Sequence, residues 1–404
     1  MGRGGWEAFL AMMKIVCTDT VLGGKELFSF LGTVREISET ELSAHHLKDV
    51  DLFVTRSNFP ISSSLLKNTS LKAIATATSG IDHIDEHYLK EKNIPLFHAK
   101  GSNANSVAEY ILRALTLFSL KQTWPLQGKT LGLIGYGAVG HAVAKMLSPL
   151  GINMLAYDPL IPQEDPCLVP LQKLQEEADI LSFHCPLVKE GPHATFHYAN
   201  ETFLKQFQKK ILLINTARGR VIKTSAVLEA LSKGTVIATI MDVWEGEPDF
   251  SPELVQHSFL ATPHIAGYSY TARWKGTYDV YEQCCHYFKI PLAVSWKDLK
   301  IKWAQSLREK DLQTQEPFRT LLKGSWEEKQ WAWLLATYNI EEDDRNLREW
   351  CLQSPEKRKE AFRRFRKQYG KRFEHGDYVL FPLQEESIMT HWFNTFHFEV
   401  KHGT

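Results

Sequence analysis

The chain has 404 residues, 44% of them hydrophobic and 23% charged, and its 47 basic and 47 acidic residues leave no formal net charge. This length predicts two or three domains, and the neutral balance argues against an overall field that would recruit nucleic acid or an anionic membrane. No apolar run is long enough to span a bilayer, so we expect neither nucleic acid nor a membrane as a partner.

The N-terminal residues and the cysteines indicate a compartment. Residues 1–11 contain only a short apolar stretch with Glu7 at its edge, so we interpret them as a disordered lead-in, or as the result of a start codon assigned too early, rather than as a signal peptide. The six cysteines include no C-x-x-C pair, which is typical of reduced thiols in a cytoplasmic protein. No histidine spacing matches a zinc motif, so we expect no metal.

From Lys14 to Lys100, short strand-like runs alternate with helical ones. Such alternation predicts a parallel, doubly wound sheet with helices on both faces. Ligands of such sheets gather at the carboxyl ends of the strands, which places Arg56, Ser57 and Thr76–Gly80 at a potential site. The predicted strands are Ile15–Cys17, Val34–Ile37, Leu52–Thr55, Leu71–Ala77 and Pro95–Phe97, and the predicted helices are Lys25–Leu31, Glu41–Leu47, Ser62–Lys67 and Asp85–Lys92.

A long helical pattern over Asn105–Lys121 leads into a second alternating region, and we expect this helix to cross between two domains. The second region predicts a complete nucleotide-binding sheet from about Ser102 to Gly267. Its predicted strands are Leu131–Ile134, Ile152–Tyr157, Asp179–Cys185, Ile211–Asn215, Val236–Val243 and Phe259–Thr262, with helices at Val139–Leu147, Leu171–Glu177, Glu201–Gln208 and Ser225–Lys233. A further helix is predicted over Ser269–Phe288.

A G-x-G-x-x-G pattern joins the first strand of this second sheet to its helix. Gly135 permits the tight turn, Gly137 lets the backbone touch a pyrophosphate, and Gly140 lets the helix pack close to the strand. The N–H groups at the helix start, where Val139 lies, take the phosphate charge. Asp158 ends the next strand, and its carboxylate can accept both ribose hydroxyls of NAD but would repel the extra phosphate of NADP. We therefore predict NAD as the cofactor.

Three polar segments follow later strands of the same sheet, namely Asn215–Arg220, Asp242–Pro248 and Thr262–Tyr268. Taken singly, Arg218 is typical of a surface arginine, Glu247 of a turn residue and His264 of a capped core histidine. All three lie where a parallel sheet collects its site, in the domain that binds the cofactor. This coincidence favours a shared catalytic role.

The three side chains suit an oxidation in which a hydride leaves the carbon that bears a hydroxyl. Arg218 can grip a carboxylate with two parallel hydrogen bonds and polarise a neighbouring oxygen. His264 can take the hydroxyl proton as the hydride departs. Glu247 can hold the other imidazole nitrogen and fix the tautomer of the base.

The segments GYGAVG, NTARGR, DVWEGEP and TPHIAGY, with VTRSN near residue 56 and ATSGIDHID near residue 80, resemble the D-isomer-specific 2-hydroxyacid dehydrogenases. Within that family, FHCPLVKEGPHATFH, Tyr338–Asp344 and the basic helix near Arg363 resemble the subgroup that acts on 4-phospho-D-erythronate. The resemblance implies NAD-dependent oxidation of this small phosphorylated 2-hydroxy acid to 2-oxo-3-hydroxy-4-phosphobutanoate, in pyridoxal 5'-phosphate biosynthesis.

The resemblance also implies site residues, with Arg218, Glu247 and His264 as the catalytic set. Cys185 departs from the subgroup pattern, which has threonine at that place, and a thiol is a weaker hydrogen-bond partner than a hydroxyl. The implied NAD-binding residues are Gly135, Gly137, Val139, Gly140, Asp158, Cys185, Thr216, Ala217, Arg218, Asp242 and Gly267, and the implied substrate-binding residues are Arg56, Ser57, Thr78 and Tyr268.

The expected fold class is α/β, with two doubly wound parallel-sheet, Rossmann-like domains and a cleft between them. The resemblance adds a C-terminal α+β domain that builds a homodimer. The expected boundaries are 12–101 and 270–293 for a discontinuous substrate domain, 102–269 for the NAD-binding domain, 294–384 for the dimerisation domain and 385–404 for a tail.

The basic segment Lys357–Arg372 carries an apolar stripe of Ala361, Phe362, Phe365 and Tyr369. We expect this stripe to pack on a partner, with the cations solvated on the opposite face. Nucleic-acid binding by these cations is a weak alternative, because the overall charge is neutral.

Two further alternatives concern the activity itself. One is a dehydrogenase for another D-2-hydroxy acid, such as 3-phosphoglycerate or glyoxylate/glycerate. The other is a non-catalytic protein that senses NAD, against which the complete set of Arg218, Glu247 and His264 argues.

Overall fold

The structure, a computed structural model, describes residues 13–56, 59–162, 164–302, 338–370, 372–377, 379–380, 395–396 and 399–400. These residues form two compact units. Unit 1 comprises the described residues of Met1–Asn103 and Tyr270–Gln313, and unit 2 those of Ala104–Ser269 and Thr314–Thr404. The predictions for the lead-in 1–11, for Ser57 and for most of the tail 385–404 lie outside the described residues.

Short strands alternate with helices along most of the described chain. The strands are β1 Lys14–Thr18, β2 Thr33–Ile37, β3 Leu52–Thr55, β4 Ala73–Thr76, β5 Leu96–His98, β6 Thr130–Ile134, β7 Asn153–Tyr157, β8 Ile180–Phe183, β9 Ile211–Asn215, β10 Val236–Met241, β11 Leu260–Ala261, β12 Val379–Leu380 and β13 Glu399–Val400.

The α-helices cover both local connections and two long segments. They are α1 Gly24–Phe28, α2 Ser63–Leu66, α3 Glu86–Glu91, α4 Ala104–Gln122, α5 Ala138–Leu147, α6 Leu171–Glu177, α7 Glu201–Leu204, α8 Thr224–Ser232, α9 Pro252–His257, α10 Tyr270–Phe288, α11 Ile340–Cys351 and α12 Pro355–Lys367. Residues 296–302 are also helical, up to the end of that described range. Each helix in the described part of the chain is too short or too polar to cross a membrane.

Each unit contains a parallel sheet. Unit 1 has the strand order β2-β1-β3-β4-β5, and unit 2 has the order β11-β10-β9-β8-β6-β7. Strands β3, β4, β6, β8 and β9 are buried at every residue, as expected for apolar runs covered on both faces. The prediction of two doubly wound, parallel-sheet domains is confirmed.

Several predicted elements are shorter in the structure. The helix predicted over Glu41–Leu47 is a 3-10 turn at Ala44–Leu47. The helix predicted over Glu201–Gln208 ends at Leu204, where Lys205 and Gln206 bond back to the carbonyls of the last turn. Such differences at element ends are common, because helix termini fray into tighter turns.

The described C-terminal segment packs within unit 2. Leu347 and Trp350 of α11 and Phe362 of α12 belong to the same buried cluster as Phe250 and Val255. The expectation that the apolar stripe packs on a partner is therefore wrong for Ala361, Phe362, Phe365 and Tyr369, which contact unit 2's own core.

Polar contacts add to this docking of α11. Asp344 Oδ1 accepts the Ala261 N–H at 2.7 Å, which ties α11 to the end of β11. Arg348 donates to the carbonyls of Val255 and Ser258 at 2.8 Å each, and its guanidinium also pairs with Asp344. The separate dimerisation domain expected at 294–384 stays a prediction, as do the other domain boundaries.

Removing the Leu347 side chain should loosen this docking. Leu347 is fully buried, whereas Leu352, just beyond the same helix, is 83% exposed. We expect Leu347→Ala to lower the free energy of unfolding by about 2–5 kcal/mol, because it leaves a cavity in the core. The matched change Leu352→Ala should stay within about 0.5 kcal/mol. Urea denaturation measures both, and equal losses would contradict the assignment of Leu347 to the core.

Candidate active site

The polar segments singled out in the sequence follow three adjacent strands of unit 2. Arg218 comes three residues after β9, Glu247 six residues after β10 and His264 three residues after β11. The sheet order β11-β10-β9 places these strands side by side, and all of them run parallel. The three residues therefore leave the sheet at one edge, which we call the carboxyl edge.

His264 and Glu247 form an imidazole–carboxylate pair. His264 Nδ1 lies 2.7 Å from Glu247 Oε2, and the other carboxylate oxygen, Oε1, accepts the backbone N–H of Trp244 at 2.6 Å. The side chains of His264 and Glu247 are 27% and 19% exposed, so the pair is mostly buried but remains accessible to solvent. Glu247 fixes the proton on Nδ1, which leaves Nε2 of a neutral His264 to accept a proton.

Several groups keep the Glu247 carboxylate ionised. Burial raises its pKa, but the charge of His264 and its hydrogen bond, the charge of Arg366 and the Trp244 N–H outweigh burial, so the net pKa is lowered. An ionised Glu247 is the form that can hold the imidazole and stabilise its protonated state.

The His264 loop, Thr262–Tyr268, is held from below by a buried carboxylate. His264 itself has a backbone φ of +58°, a left-handed conformation that a non-glycine residue adopts only under constraint. The Asp242 carbonyl accepts the His264 N–H at 2.6 Å, and the Asp242 carboxylate accepts the N–H groups of Ile265 and Ala266 at 2.8 and 2.9 Å. The same carboxylate accepts the Thr262 hydroxyl at 2.7 Å.

Two arginines of the C-terminal segment donate hydrogen bonds to carbonyl groups of the same loop. Arg366 Nε donates to the His264 carbonyl at 3.2 Å, and Arg372 Nη1 donates to the Ile265 carbonyl at 3.1 Å. Arg372 Nη2 also donates to the Ala266 carbonyl. The expectation that the cations of this segment are solvated is thus wrong for Arg372, which is 6% exposed, and for Arg366, which is part-buried.

Arg218 lies on a turn that packs directly against the segment that carries Glu247. A Cβ placed on Gly219 would lie 1.9 Å from the Trp244 carbonyl oxygen, so only glycine permits this approach. The Asn215 side chain braces the turn, donating to the Arg218 carbonyl and accepting the Ala217 N–H at 3.0 Å each. Arg218 Nη1 donates to the Ala217 carbonyl at 2.9 Å.

The glycine turn has the geometry predicted for a pyrophosphate site. Gly135 has a φ of +95°, and a Cβ on it would lie 2.7 Å from the Cys185 backbone nitrogen. A Cβ on Gly140 would lie 2.5 Å from the Gly135 carbonyl oxygen. Gly137, the N-cap of α5, has no heavy atom within 4 Å of its Cβ position among the described residues. The space in front of α5 therefore suits a phosphate, with Val139 in its first turn.

The remaining predicted cofactor residues surround this turn and the neighbouring strand ends. Asp158 follows β7, and its carboxylate accepts the N–H groups of Tyr136 and Leu160 at 2.9 and 3.0 Å. The Thr216 Oγ1 atom is buried and has no hydrogen-bond partner among the described residues, as expected of a group that awaits a ligand. Ala217 and Gly267 belong to the Arg218 turn and the His264 loop.

Cys185 and Asp242 are less accessible than the prediction implied. Burial raises the pKa of the Cys185 thiol to about 12, so this side chain stays protonated and packs in the core. Asp242 is 1% exposed and its carboxylate is occupied by the His264 loop, so it supports the site from beneath. Burial raises the Asp242 pKa, and the loop hydrogen bonds oppose that rise.

The predicted substrate residues are distributed over both units. In unit 1, Arg56 follows β3 and is buried, and Thr78, just beyond β4, donates to the Gly80 carbonyl at 2.9 Å. In unit 2, the Tyr268 hydroxyl accepts a hydrogen bond from Arg366 Nη2 at 2.8 Å. Ser57 lies outside the described residues.

Sequence reasoning missed the residues that hold the His264 loop. Arg366 and Arg372 lie about 100 positions further along the chain, in a segment whose charges suggested a solvated surface. No local spacing relates them to His264. The acidic Asp242 was noticed, yet its role in binding three groups of the loop depends on the tertiary fold.

Known proteins resemble this chain in sequence. The sequence model of the D-isomer specific 2-hydroxyacid dehydrogenase NAD binding domain matches residues 116–266. A curated erythronate-4-phosphate dehydrogenase of Proteus mirabilis is 38% identical over 289 residues, which are 71% of this chain and 77% of that protein. One of Yersinia enterocolitica is 34% identical over 368 residues, which are 90% of this chain and 93% of that protein.

Solved structures share the fold. The D-lactate dehydrogenase of Aquifex aeolicus, complexed with NAD and lactic acid, matches with a TM-score of 0.58 and 26% identity. The match covers 68% of this chain and 96% of that chain.

Substitutions in the glycine turn should separate cofactor binding from folding. Gly137→Val should fold normally but weaken NADH binding about tenfold or more, because crowding by added methyl groups costs about 1–3 kcal/mol. Gly135→Ala should instead lower the free energy of unfolding by more than about 1 kcal/mol, because alanine is strained at positive φ. NADH fluorescence titration and thermal unfolding measure the two effects. Unchanged NADH affinity in Gly137→Val would exclude this turn as the phosphate site.

Proposed function

The chain belongs to the D-isomer specific 2-hydroxyacid dehydrogenases, and we propose that within this family it oxidises 4-phospho-D-erythronate to 2-oxo-3-hydroxy-4-phosphobutanoate. NAD is the cofactor, and the reaction is a step of pyridoxal 5'-phosphate biosynthesis. The names of the curated relatives, aligned over most of the chain, support this substrate. The observation that carries the reaction type is the 2.7 Å contact between His264 Nδ1 and Glu247 at the carboxyl edge.

The catalytic roles follow from the chemistry of the side chains. His264 Nε2 removes the proton of the substrate's 2-hydroxyl group while the hydrogen on the same carbon leaves as a hydride. Glu247 stabilises the imidazolium that forms. Arg218 binds the substrate carboxylate and polarises the oxygen that becomes the carbonyl. NAD, when bound, accepts the hydride, so the products are the 2-oxo acid, NADH and a proton.

We assign the binding of NAD to the glycine turn and its neighbours. The α5 N-terminus with Gly137 receives the pyrophosphate, and Asp158 receives the ribose hydroxyls. The Thr216 hydroxyl, which has no hydrogen-bond partner in the part of the chain that the structure describes, supports a cofactor contact at the end of β9. The substrate would be bound by Arg56, Ser57, Thr78 and Tyr268, and a basic and hydroxyl-rich set of this kind suits a phosphorylated hydroxy acid.

We place the protein in the cytoplasm, since all six cysteines, which lie among the described residues, are free thiols. A dehydrogenase for 3-phosphoglycerate or glyoxylate/glycerate is not favoured, because the curated relatives quoted above carry a different name.

A substrate panel tests the proposed function. With NAD, we expect 4-phospho-D-erythronate to give a higher kcat/KM than 3-phosphoglycerate or glycerate, and NADP should support little turnover. Nicotinamide absorbance at a fixed concentration of each acid follows the reaction. A preference for 3-phosphoglycerate would overturn the choice of substrate but leave the family assignment intact.

His264→Gln should lower kcat by about 10²–10⁴, the usual contribution of a general base. The matched control is His197→Gln, because His197 Nε2 pairs with Glu245 at 2.5 Å and the two side chains are each 28% exposed. The control should retain turnover to within a few-fold. Full activity of the His264 variant would remove this residue from the mechanism.

We further propose a homodimer formed through the C-terminal segment, on the resemblance of Tyr338–Asp344 and the α12 helix to the subgroup. Light scattering after size exclusion should then give a mass twice the 46.3 kDa of the chain. A mass of one chain at micromolar concentration would reject the dimer without affecting the catalytic assignment.

A further inference from the structure

Helix α12 brings a guanidinium to two residues of the His264 loop that the proposed function assigns to the active site. Arg366 Nε donates to the His264 carbonyl at 3.2 Å, and Nη2 of the same group donates to the Tyr268 hydroxyl at 2.8 Å. The guanidinium carbon also lies 4.9 Å from the centre of the Tyr268 ring. One side chain thus joins the residue assigned as the base to a residue assigned to the substrate.

The planar fork of arginine makes this double contact possible. Its Nε and Nη2 atoms point in fixed directions, so two acceptors on different residues are held at a set separation. Phe362, one turn earlier on α12, lies beside the same guanidinium at 5.8 Å and belongs to the buried cluster of unit 2. The burial of Phe362 therefore anchors α12, and the packing of this helix fixes the position of Arg366.

The contact matters because it helps to hold His264 in a strained backbone conformation. A left-handed φ of +58° in a histidine is strained and persists only where the surroundings impose it. Asp242 imposes this conformation by accepting hydrogen bonds from N–H groups of the loop. Arg366 and Arg372 impose it by donating hydrogen bonds to carbonyl groups of the loop. Arg366 also donates to the Tyr268 hydroxyl.

We propose that Arg366 is a positioning residue of the active site, which holds His264 and Tyr268 in the geometry that hydride transfer requires. The inference rests on the proposed function and extends it, since it assigns a catalytic contribution to the C-terminal segment. Arg366 acts through its two partners.

The charge of Arg366 provides a second, independent readout. In the described part of the chain, the charged groups that contact the His264 loop include Asp242 beneath it, Arg366 on α12 and Arg372, and the titratable Tyr268 lies in the loop itself. Arg366 lowers the pKa of the Glu247 carboxyl. Removing this cation should make the pair bind a proton more readily, so the acidic limb of the pH profile of kcat/KM should move to higher pH.

Three variants separate geometry from charge. Arg366→Gln removes the positive charge and the guanidinium's hydrogen bonds to His264 and Tyr268. Arg366→Lys keeps the charge but cannot make these two hydrogen bonds with fixed geometry. Arg363→Gln is the matched control, because Arg363 is exposed on the same helix and loses the same charge. Thermal unfolding of all three checks that the fold is retained.

We expect Arg366→Gln to lower kcat about tenfold to a hundredfold with KM changed less, the scale that misplacing a catalytic group by about 1 Å causes. Its acidic limb should move to higher pH, because a neighbouring cation is lost. Arg366→Lys should recover the wild-type pH limb but only part of kcat. Arg363→Gln should match the wild type in both.

A measurement without substrate keeps this test apart from the proposed function. Diethyl pyrocarbonate acylates neutral imidazole, so its rate at His264 against pH, read by peptide mass spectrometry, should show the same upward shift in Arg366→Gln. A wild-type protein that oxidises none of the acids would reject the proposed function, while the His264 acylation would still test Arg366. Wild-type kcat and an unshifted His264 profile in Arg366→Gln would overturn the inference, as would equal changes in Arg363→Gln.

Discussion

The arrangement of unit 2 depends on the complete pairing of three consecutive peptide groups, His264, Ile265 and Ala266. Asp242 accepts all three N–H groups, and two guanidiniums of the C-terminal segment donate to all three carbonyls. A buried backbone group without a hydrogen-bond partner costs free energy. Loop conformations in which these N–H and carbonyl groups lose their partners are therefore disfavoured. The loop is thereby fixed in a conformation that the local sequence would not choose.

The buried charges that fix the loop are compatible with folding because each of them has hydrogen-bond partners. Asp242 is taken out of water, and its pKa is raised by that burial, yet it gains the Thr262 hydroxyl and two N–H groups as partners. Arg372 similarly finds carbonyl oxygens and the Tyr338 ring, 4.8 Å from its guanidinium carbon. A buried charge without such partners would be strongly destabilising. The polar network therefore selects one loop geometry among the many that apolar packing alone would allow.

The sequence was most informative where a local pattern has a local physical meaning. The glycine turn, the buried strands and the position of Glu247 and His264 after adjacent strands were all predictable, because each depends on spacing along a few residues. The C-terminal segment was not. Its apolar stripe and cations suggest an amphipathic surface helix, and periodicity does not reveal which neighbour covers it. The pairing of Arg366 with His264 joins residues 102 positions apart, so only the folded chain displays it.

Because Arg366 lies on α12, the geometry of the His264 loop depends on the stability of the C-terminal helices. Helices α11 and α12 are held on unit 2 by apolar burial around Leu347 and Phe362 and by the contacts of Asp344 and Arg348. Local opening of a segment costs less than global unfolding. Opening of α12 would release the His264 carbonyl from Arg366 and so make it easier for His264 to leave its strained conformation. Under the proposed function, the core contacts of the C-terminal segment would thereby help to keep the imidazole oriented for its reaction.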